Sequence, residues 1–224
     1  KKYGAKYAYT IDGSTRGEVE TETFSADAVV IKFNGKNVHP GYAKNKMINA
    51  VKIASRFLEM LPPNSLSPET TDKREGYVHP TSIKSDETLA TIKFIIRDFD
   101  ASKLKEYENF LKELAEKTVL HFPGSTMEFE VIEQYRNMKY ILDQHPMVEA
   151  NAVEALNRLG MKPINSAIRG GTDGARLSYI GLPTPNLFAG GHNFHGFLEY
   201  IAVQDMEAAV KMIVTLANVW EDKA

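Results

Sequence analysis

Four short stretches of the sequence carry side chains whose types and spacing suit chemistry. The first is Tyr9-Thr10-Ile11-Asp12-Gly13. Asp12 closes a β-prone run, and α/β sheets hold ligands at the carboxyl ends of their strands. An acid there stands where such a sheet meets a ligand; an Asp that merely starts an Asp-Gly turn is the alternative. The second is Gly190-Gly191-His192-Asn193-Phe194-His195-Gly196. Two histidines three apart in a glycine-rich loop have the donor type that zinc accepts, against the alternative of a solvated pair. The third is Ile168-Arg169-Gly170-Gly171-Thr172-Asp173-Gly174-Ala175. Its glycines let backbone N–H groups approach an anion, and a following helix adds its positive end. Arg169 has the forked geometry that grips a carboxylate; the alternative is a tight turn with a surface arginine. The fourth is Asn37-Val38-His39-Pro40-Gly41, an apparent strand-to-helix connection, together with Ile95-Ile96-Arg97-Asp98 at a strand end. A loop histidine and an arginine paired with neighbouring acids are the alternatives there.

Other chemistries lack their motifs. Neither Gly-x-Ser-x-Gly nor His-Glu-x-x-His occurs, so a nucleophile elbow and a helical zinc motif are absent. The glycine loop has the spacing of neither nucleotide-binding fingerprint. A formal net charge of -2 leaves no cationic excess for nucleic acid or an anionic membrane. With no cysteine, disulfides and thiolate metal sites are excluded, which suits a reducing, cytoplasmic location. No apolar run nears the roughly 20 residues that span a bilayer, and no charged-then-apolar leader opens the chain. The first residue is Lys1 rather than Met, and the expectation is that an N-terminal portion has been removed.

The elements that must position these residues follow from periodicity. The chain has 224 residues, 43% hydrophobic and 25% charged, enough for one large domain or two modest ones. Lys6 to Ile11 and Glu18 to Thr23 read as extended. Asp27 to Asn34 reads as a strand, Ala43 to Leu61 as a helix stopped by Pro62-Pro63, and Tyr77 to Lys84 and Thr88 to Asp98 as a hairpin. A helix capped at Asp100 or Ser102 follows, with Leu104, Tyr107, Leu111, Leu114 and Thr118 in one stripe. A strand with Met127, Phe129 and Val131 on one face completes the series. The β-α-β-β-α-β order predicts a four-stranded antiparallel, ferredoxin-like sheet with both helices on one face. Beyond it, helices at His145–Leu159 and Val203–Trp220 alternate with strands at Met161–Ile168 and Leu182–Phe188, an α/β texture. In the last helix the expected buried stripe is Met206, Ala209, Val210, Ile213, Leu216 and Trp220. The simplest organisation is an α/β domain, residues 1–24 and 135–224, interrupted by an insert at 25–134.

Taken together these segments resemble the peptidase T branch of the M20 metallopeptidases. The matching stretches are Tyr-Thr-Ile-Asp-Gly at 9–13, Asn-Val-His-Pro-Gly at 37–41 followed by Met47 and Asn49-Ala50, Ile-Ile-Arg-Asp-Phe-Asp at 95–100, Ile-Arg-Gly-Gly-Thr-Asp-Gly-Ala at 168–175, and Gly-Leu-Pro-x-Pro-Asn through His195-Gly196. They run in the family's order along essentially the whole chain. The resemblance implies a zinc-peptidase-like catalytic domain interrupted by a ferredoxin-like lid and dimerisation domain. It implies a zinc-dependent aminopeptidase that releases the N-terminal residue of tripeptides, with two zinc ions per subunit and a homodimer through the lid as one expected assembly. Asp12 would ligate one zinc and His195 the other. His39 and Arg97 of the lid, with Arg169, Gly170, Gly171 and Thr172, would hold the peptide. The family's general base and remaining ligands would precede Lys1, so no catalytic base is expected in this chain and the chain alone is expected to be inactive. A different M20 dipeptidase or deacylase, or a non-catalytic dimerisation module, are the alternatives.

Overall fold

The computed structural model describes residues 4–224. The chain divides into two compact units, one made of Lys1–Phe24 with Tyr135–Ala224 and the other of Ser25–Gln134. Among the described residues no helix is long and apolar enough to cross a membrane.

In the first unit β1 (Thr10–Gly13) and β2 (Glu18–Thr23) come first. β1 starts later than the expected Lys6 to Ile11 run. The facing segment explains why: Ala8 and Thr10 donate to the carbonyls of Pro183 and Pro185, but prolines return no N–H, so a two-sided ladder begins only beyond them.

The second unit holds β3 (Ser25–Asn34), α1 (Ala50–Glu59), β4 (Tyr77–Ser85), β5 (Leu89–Asp98), α2 (Ala101–Leu120) and β6 (Thr126–Tyr135). Its sheet order is β4-β5-β3-β6, with β5 antiparallel to both β3 and β4. This is the ferredoxin-like arrangement. Alternation along β3 and β5 sends Val29, Ile31, Phe33, Ala90, Ile92, Phe94 and Ile96 into one core with Ile53, Ala54 and Phe57 of α1 and Leu104, Leu111 and Ala115 of α2. The Phe57 ring stands 5.3 Å from Phe33 and 5.9 Å from Phe94.

α1 begins seven residues after the expected Ala43 start. Asn49 caps it, its Oδ1 accepting from Lys52 N at 3.3 Å. Upstream, Pro40–Tyr42 makes a 3-10 turn, Asn45 takes φ +58°, and Ile48 exchanges backbone hydrogen bonds with Lys36. That pairing draws residues 43–48 away from the helix, so Met47 is not on its stripe.

The chain returns to the first unit through α3 (Lys139–Leu142), α4 (Pro146–Arg158), β7 (Ile164–Ile168), α5 (Asp173–Tyr179), β8 (Asn186–Phe188), the short β9 (Gly191–His192) and β10 (Tyr200–Ile201), and α6 (Val203–Glu221). Pro146 opens α4 at its first turn, where its missing N–H costs nothing. The main sheet runs β1-β8-β2-β7, with β1 parallel to β8, β2 parallel to β7, and β2 antiparallel to β8. Val19, Leu187 and Phe188 pack against Ala152, Ala155 and Leu156 of α4 and Ala208, Ala209, Met212, Leu216 and Val219 of α6. The buried face of α6 is rotated from the expected stripe: Met206, Val210 and Ile213 are 50%, 60% and 47% exposed. α6 is apolar on both sides, so period alone does not choose a face. The small Ala208 and Ala209 lie on the buried side, in one cluster with Ala152 and Ala155 of α4.

Candidate metal centre and substrate loop

Asp12 lies near the end of β1 with its side chain exposed. Its backbone is held: Asp12 N donates to Asn186 Oδ1 at 3.2 Å, and the carbonyl of Gly13 accepts from Ala189 N at 2.8 Å and Gly190 N at 3.2 Å. β1 and β8 are parallel, so Asp12 and the segment leading to His195 leave the sheet at the same end. A Cβ added to Gly13 would stand 2.8 Å from Leu187 O and 3.0 Å from Glu20 Oε2. Glycine is therefore required beside Asp12 by close approach.

His195 sits in the loop between β9 and β10, exposed, with φ +63° and its N–H donating to Glu199 Oε2 at 3.0 Å. A non-glycine residue in the left-handed region is uncommon, and histidine is among those that tolerate it best. His192 does not join it as a second donor: its ring stacks on Tyr200 with centroids 5.0 Å apart.

The glycine loop lies between β7 and α5. The guanidinium of Arg169 stands 5.3 Å over the Phe24 ring. Gly170 O accepts from Phe24 N at 3.1 Å. A Cβ on Gly171 would lie 2.5 Å from Cζ of the Tyr135 ring, so a larger residue there has to displace that side chain. Thr172 precedes α5 as its cap residue, yet its side chain makes no cap bond, and its Oγ1 is buried without a hydrogen-bond partner among the described residues. A buried hydroxyl left unpaired is costly, which suits a loop that receives a polar ligand.

In the second unit His39 caps the 3-10 turn, Nδ1 accepting from Gly41 N at 3.2 Å, with its ring exposed and 5.4 Å from Tyr42. Arg97 donates through Nη1 to Tyr77 Oη at 2.9 Å, while its buried Nε has no partner among the described residues. The structure does not bring these two together. Arg97 pairs with Ala26 at the start of β3, whereas His39 follows the end of β3 at Asn34; the strand between them spans about 26 Å at ~3.3 Å per residue.

Two residues that sequence reasoning missed stand behind Asp12. Asn186 is 1% exposed and Glu20 8%, and Asn186 Nδ2 donates to Glu20 Oε2 at 2.5 Å. Burial pushes the Glu20 carboxyl up to about 7, the hydrogen bond from Asn186 opposes the shift, and the charges of Glu18 and Asp12 add to it. The one available signal was a polar Asn directly before Leu187 and Phe188 in the strand Leu182–Phe188; Glu20, in Glu-Val-Glu-Thr-Glu, reads as a solvated edge.

Asp12 and His195 suit zinc by donor type, oxygen and imidazole nitrogen. By number they fall short, since zinc takes three or four protein ligands and no group of three or more His, Cys, Asp or Glu converges among the described residues.

Comparison with known proteins fixes the family. The profile of the M20 peptidase dimerisation domain matches residues 21–144. The chain belongs to the M20 peptidase family. It is 46% identical over 223 residues to Peptidase T of Clostridium botulinum strain Hall, covering 100% of this chain and 54% of that protein. Peptidase T of Geobacillus sp. strain WCH70 is 45% identical over the same spans. The chain thus covers about half the length of the curated relatives it matches. Among solved structures it resembles aminopeptidase PepT from Bacillus cereus ATCC 10987, with TM-score 0.73 and 23% identity over 95% of this chain and 56% of that one. A tripeptidase from Staphylococcus aureus Mu50 gives TM-score 0.76 and 19% identity, with the same coverage. A dinuclear metal binding peptidase of the M20 family from Bacillus subtilis gives TM-score 0.59 at 16% identity, over 93% of this chain and 54% of that one. At these identities the structural likeness speaks for the fold alone, and that fold is the M20 arrangement of a mixed α/β unit with an α+β insert.

Proposed function

We propose that the chain is the lid and part of the catalytic domain of a zinc-dependent tripeptide aminopeptidase. The observation that carries this reading is the 46% identity to Peptidase T over 223 residues, supported by the parallel β1 and β8, from whose common end Asp12 and the segment leading to His195 depart. Residues 25–134 act as lid and dimerisation domain; 1–24 and 135–224 belong to the catalytic domain of a cytoplasmic enzyme. Two zinc ions bind per subunit, Asp12 on one and His195 on the other. The remaining ligands and the general base come from residues outside this chain. Zinc, when bound, supplies Lewis-acid activation for amide hydrolysis.

The chain's own residues bind and orient the peptide. Arg169 grips its terminal carboxylate in a two-pronged contact, which a lysine does not reproduce. Gly170 and Gly171 let the backbone approach, and the unpaired Thr172 hydroxyl donates or accepts one further hydrogen bond. Arg97 adds a second cationic contact from the lid. His39 donates to the developing oxyanion of the scissile carbonyl. The span separating His39 from Arg97 exceeds a tripeptide, which supports His39 entering the site of a second copy in a homodimer.

Metal analysis of the full-length protein tests the ligand assignment. Asp12→Ala and His195→Ala should each lose at least one zinc equivalent and most peptide hydrolysis. Two tightly held zinc ions in either variant would refute it.

A further inference from the structure

Asn186 occupies the middle of the main sheet, opposite Thr10 of β1 on one side and Glu20 of β2 on the other. Its side chain bridges the two strands, accepting from Asp12 N at 3.2 Å and donating to Glu20 Oε2 at 2.5 Å. The amide has one orientation that serves both neighbours. A backbone N–H only donates, and the Glu20 Oε2 that faces Asn186 accepts, as a carboxylate oxygen or as the carbonyl oxygen of the acid. The Asp12 N–H turns Oδ1 of the Asn186 amide towards β1 and leaves Nδ2 for Glu20, so Glu20 anchors the amide that holds the Asp12 peptide. Glu20 also packs against the Asp12–Gly13 backbone directly, since a Cβ on Gly13 would reach its Oε2 at 3.0 Å.

This arrangement is expensive as structure. Glu20 is 8% exposed and forms no ion pair among the described residues, and a buried carboxyl without a cation opposes folding. An apolar pair would fill the same space at lower cost. We infer that Glu20 and Asn186 are a positioning pair for the Asp12 carboxylate, fixing the strand end from which it meets its metal. The inference rests on the reading of Asp12 as a zinc ligand. Groups that orient a metal ligand without touching the metal commonly change metal affinity by about 10–100-fold when replaced.

The test uses the full-length protein and zinc itself. Zinc affinity is measured by chelator competition, the visible absorption of the cobalt(II)-loaded protein reports ligand geometry, and melting is followed on the metal-free protein. Four forms are compared: unsubstituted, Glu20→Gln, Asn186→Leu and Asp12→Ala. Glutamine keeps the volume of Glu20 but can turn its Nε2 towards Asn186 in place of the accepting oxygen, so the bond that anchors the Asn186 amide is weakened. Glu20→Gln should weaken zinc by about tenfold and alter the cobalt spectrum, with metal-free melting held or raised. Asn186→Leu should weaken zinc at least as much. Unchanged affinity and spectrum in both variants, alongside metal loss in Asp12→Ala, would overturn the positioning role and leave the ligand reading intact. An affinity loss matched by loss of metal-free melting in Glu20→Gln would make the pair merely structural, and so also overturn it. Full zinc retention in Asp12→Ala would sink the ligand reading and this inference together.

Discussion

Glu20 carries its protonation into the stability of the fold. In the folded chain its carboxyl holds a proton up to about pH 7, against an ordinary value of 4.5. Between those values the folded state binds more protons than the unfolded state, so stability falls as pH rises through that window and is fullest below 4.5. The whole span corresponds to about 3 kcal/mol. Glu20→Gln has no charge to bury. Its melting temperature should match the unsubstituted chain at pH 4.5 and exceed it at pH 8; a gap independent of pH would contradict the assignment. At this scale the sequence was legible where a residue type announces itself. Asp12 before Gly13, the histidine loop and Arg169 beside two glycines stood out because turns and glycines frame them. Glu20 and Asn186 did not, because their role arises from β8 lying between β1 and β2, a pairing of segments some 166 residues apart.

Elements were legible where the pattern was one-sided. β3 and β5 alternate cleanly because one face meets the helices, and β2 runs from Glu18 to Thr23 as its composition suggests. α1 was read too long because apolar residues at helical spacing continue upstream of Asn49, while the backbone of Ile48 is already committed to Lys36. The buried face of α6 was read rotated: Ala209, Leu216 and Trp220 do pack on the core, while Met206, Val210 and Ile213 do not, because both faces are apolar and only packing decides. The α1 boundary makes a direct prediction. Asn49 satisfies one of the orphan N–H groups of the first turn, so Asn49→Ala should cost about 1 kcal/mol in denaturant unfolding, and Asn49→Asp should keep most of it. An alanine variant as stable as the parent would mean that α1 is set by packing alone.

The molecule as a whole joins a self-contained α+β insert to a mixed sheet, and the insert's core is complete within Ser25–Gln134. The other unit leaves Met206, Val210 and Ile213 of α6 50%, 60% and 47% exposed. The family was legible because its site loops keep their order and spacing along the chain, whereas the pairing of β8 between two strands from the other end was not. A tripeptide-specific aminopeptidase discriminates its substrates by length. The full-length, zinc-loaded protein is given matched di-, tri- and tetrapeptides of one sequence, and kcat/KM and the first released residue are recorded for each. A clear preference for the tripeptide is expected, with the N-terminal amino acid released first. Equal rates across the three lengths, or a preference for the dipeptide, would contradict it.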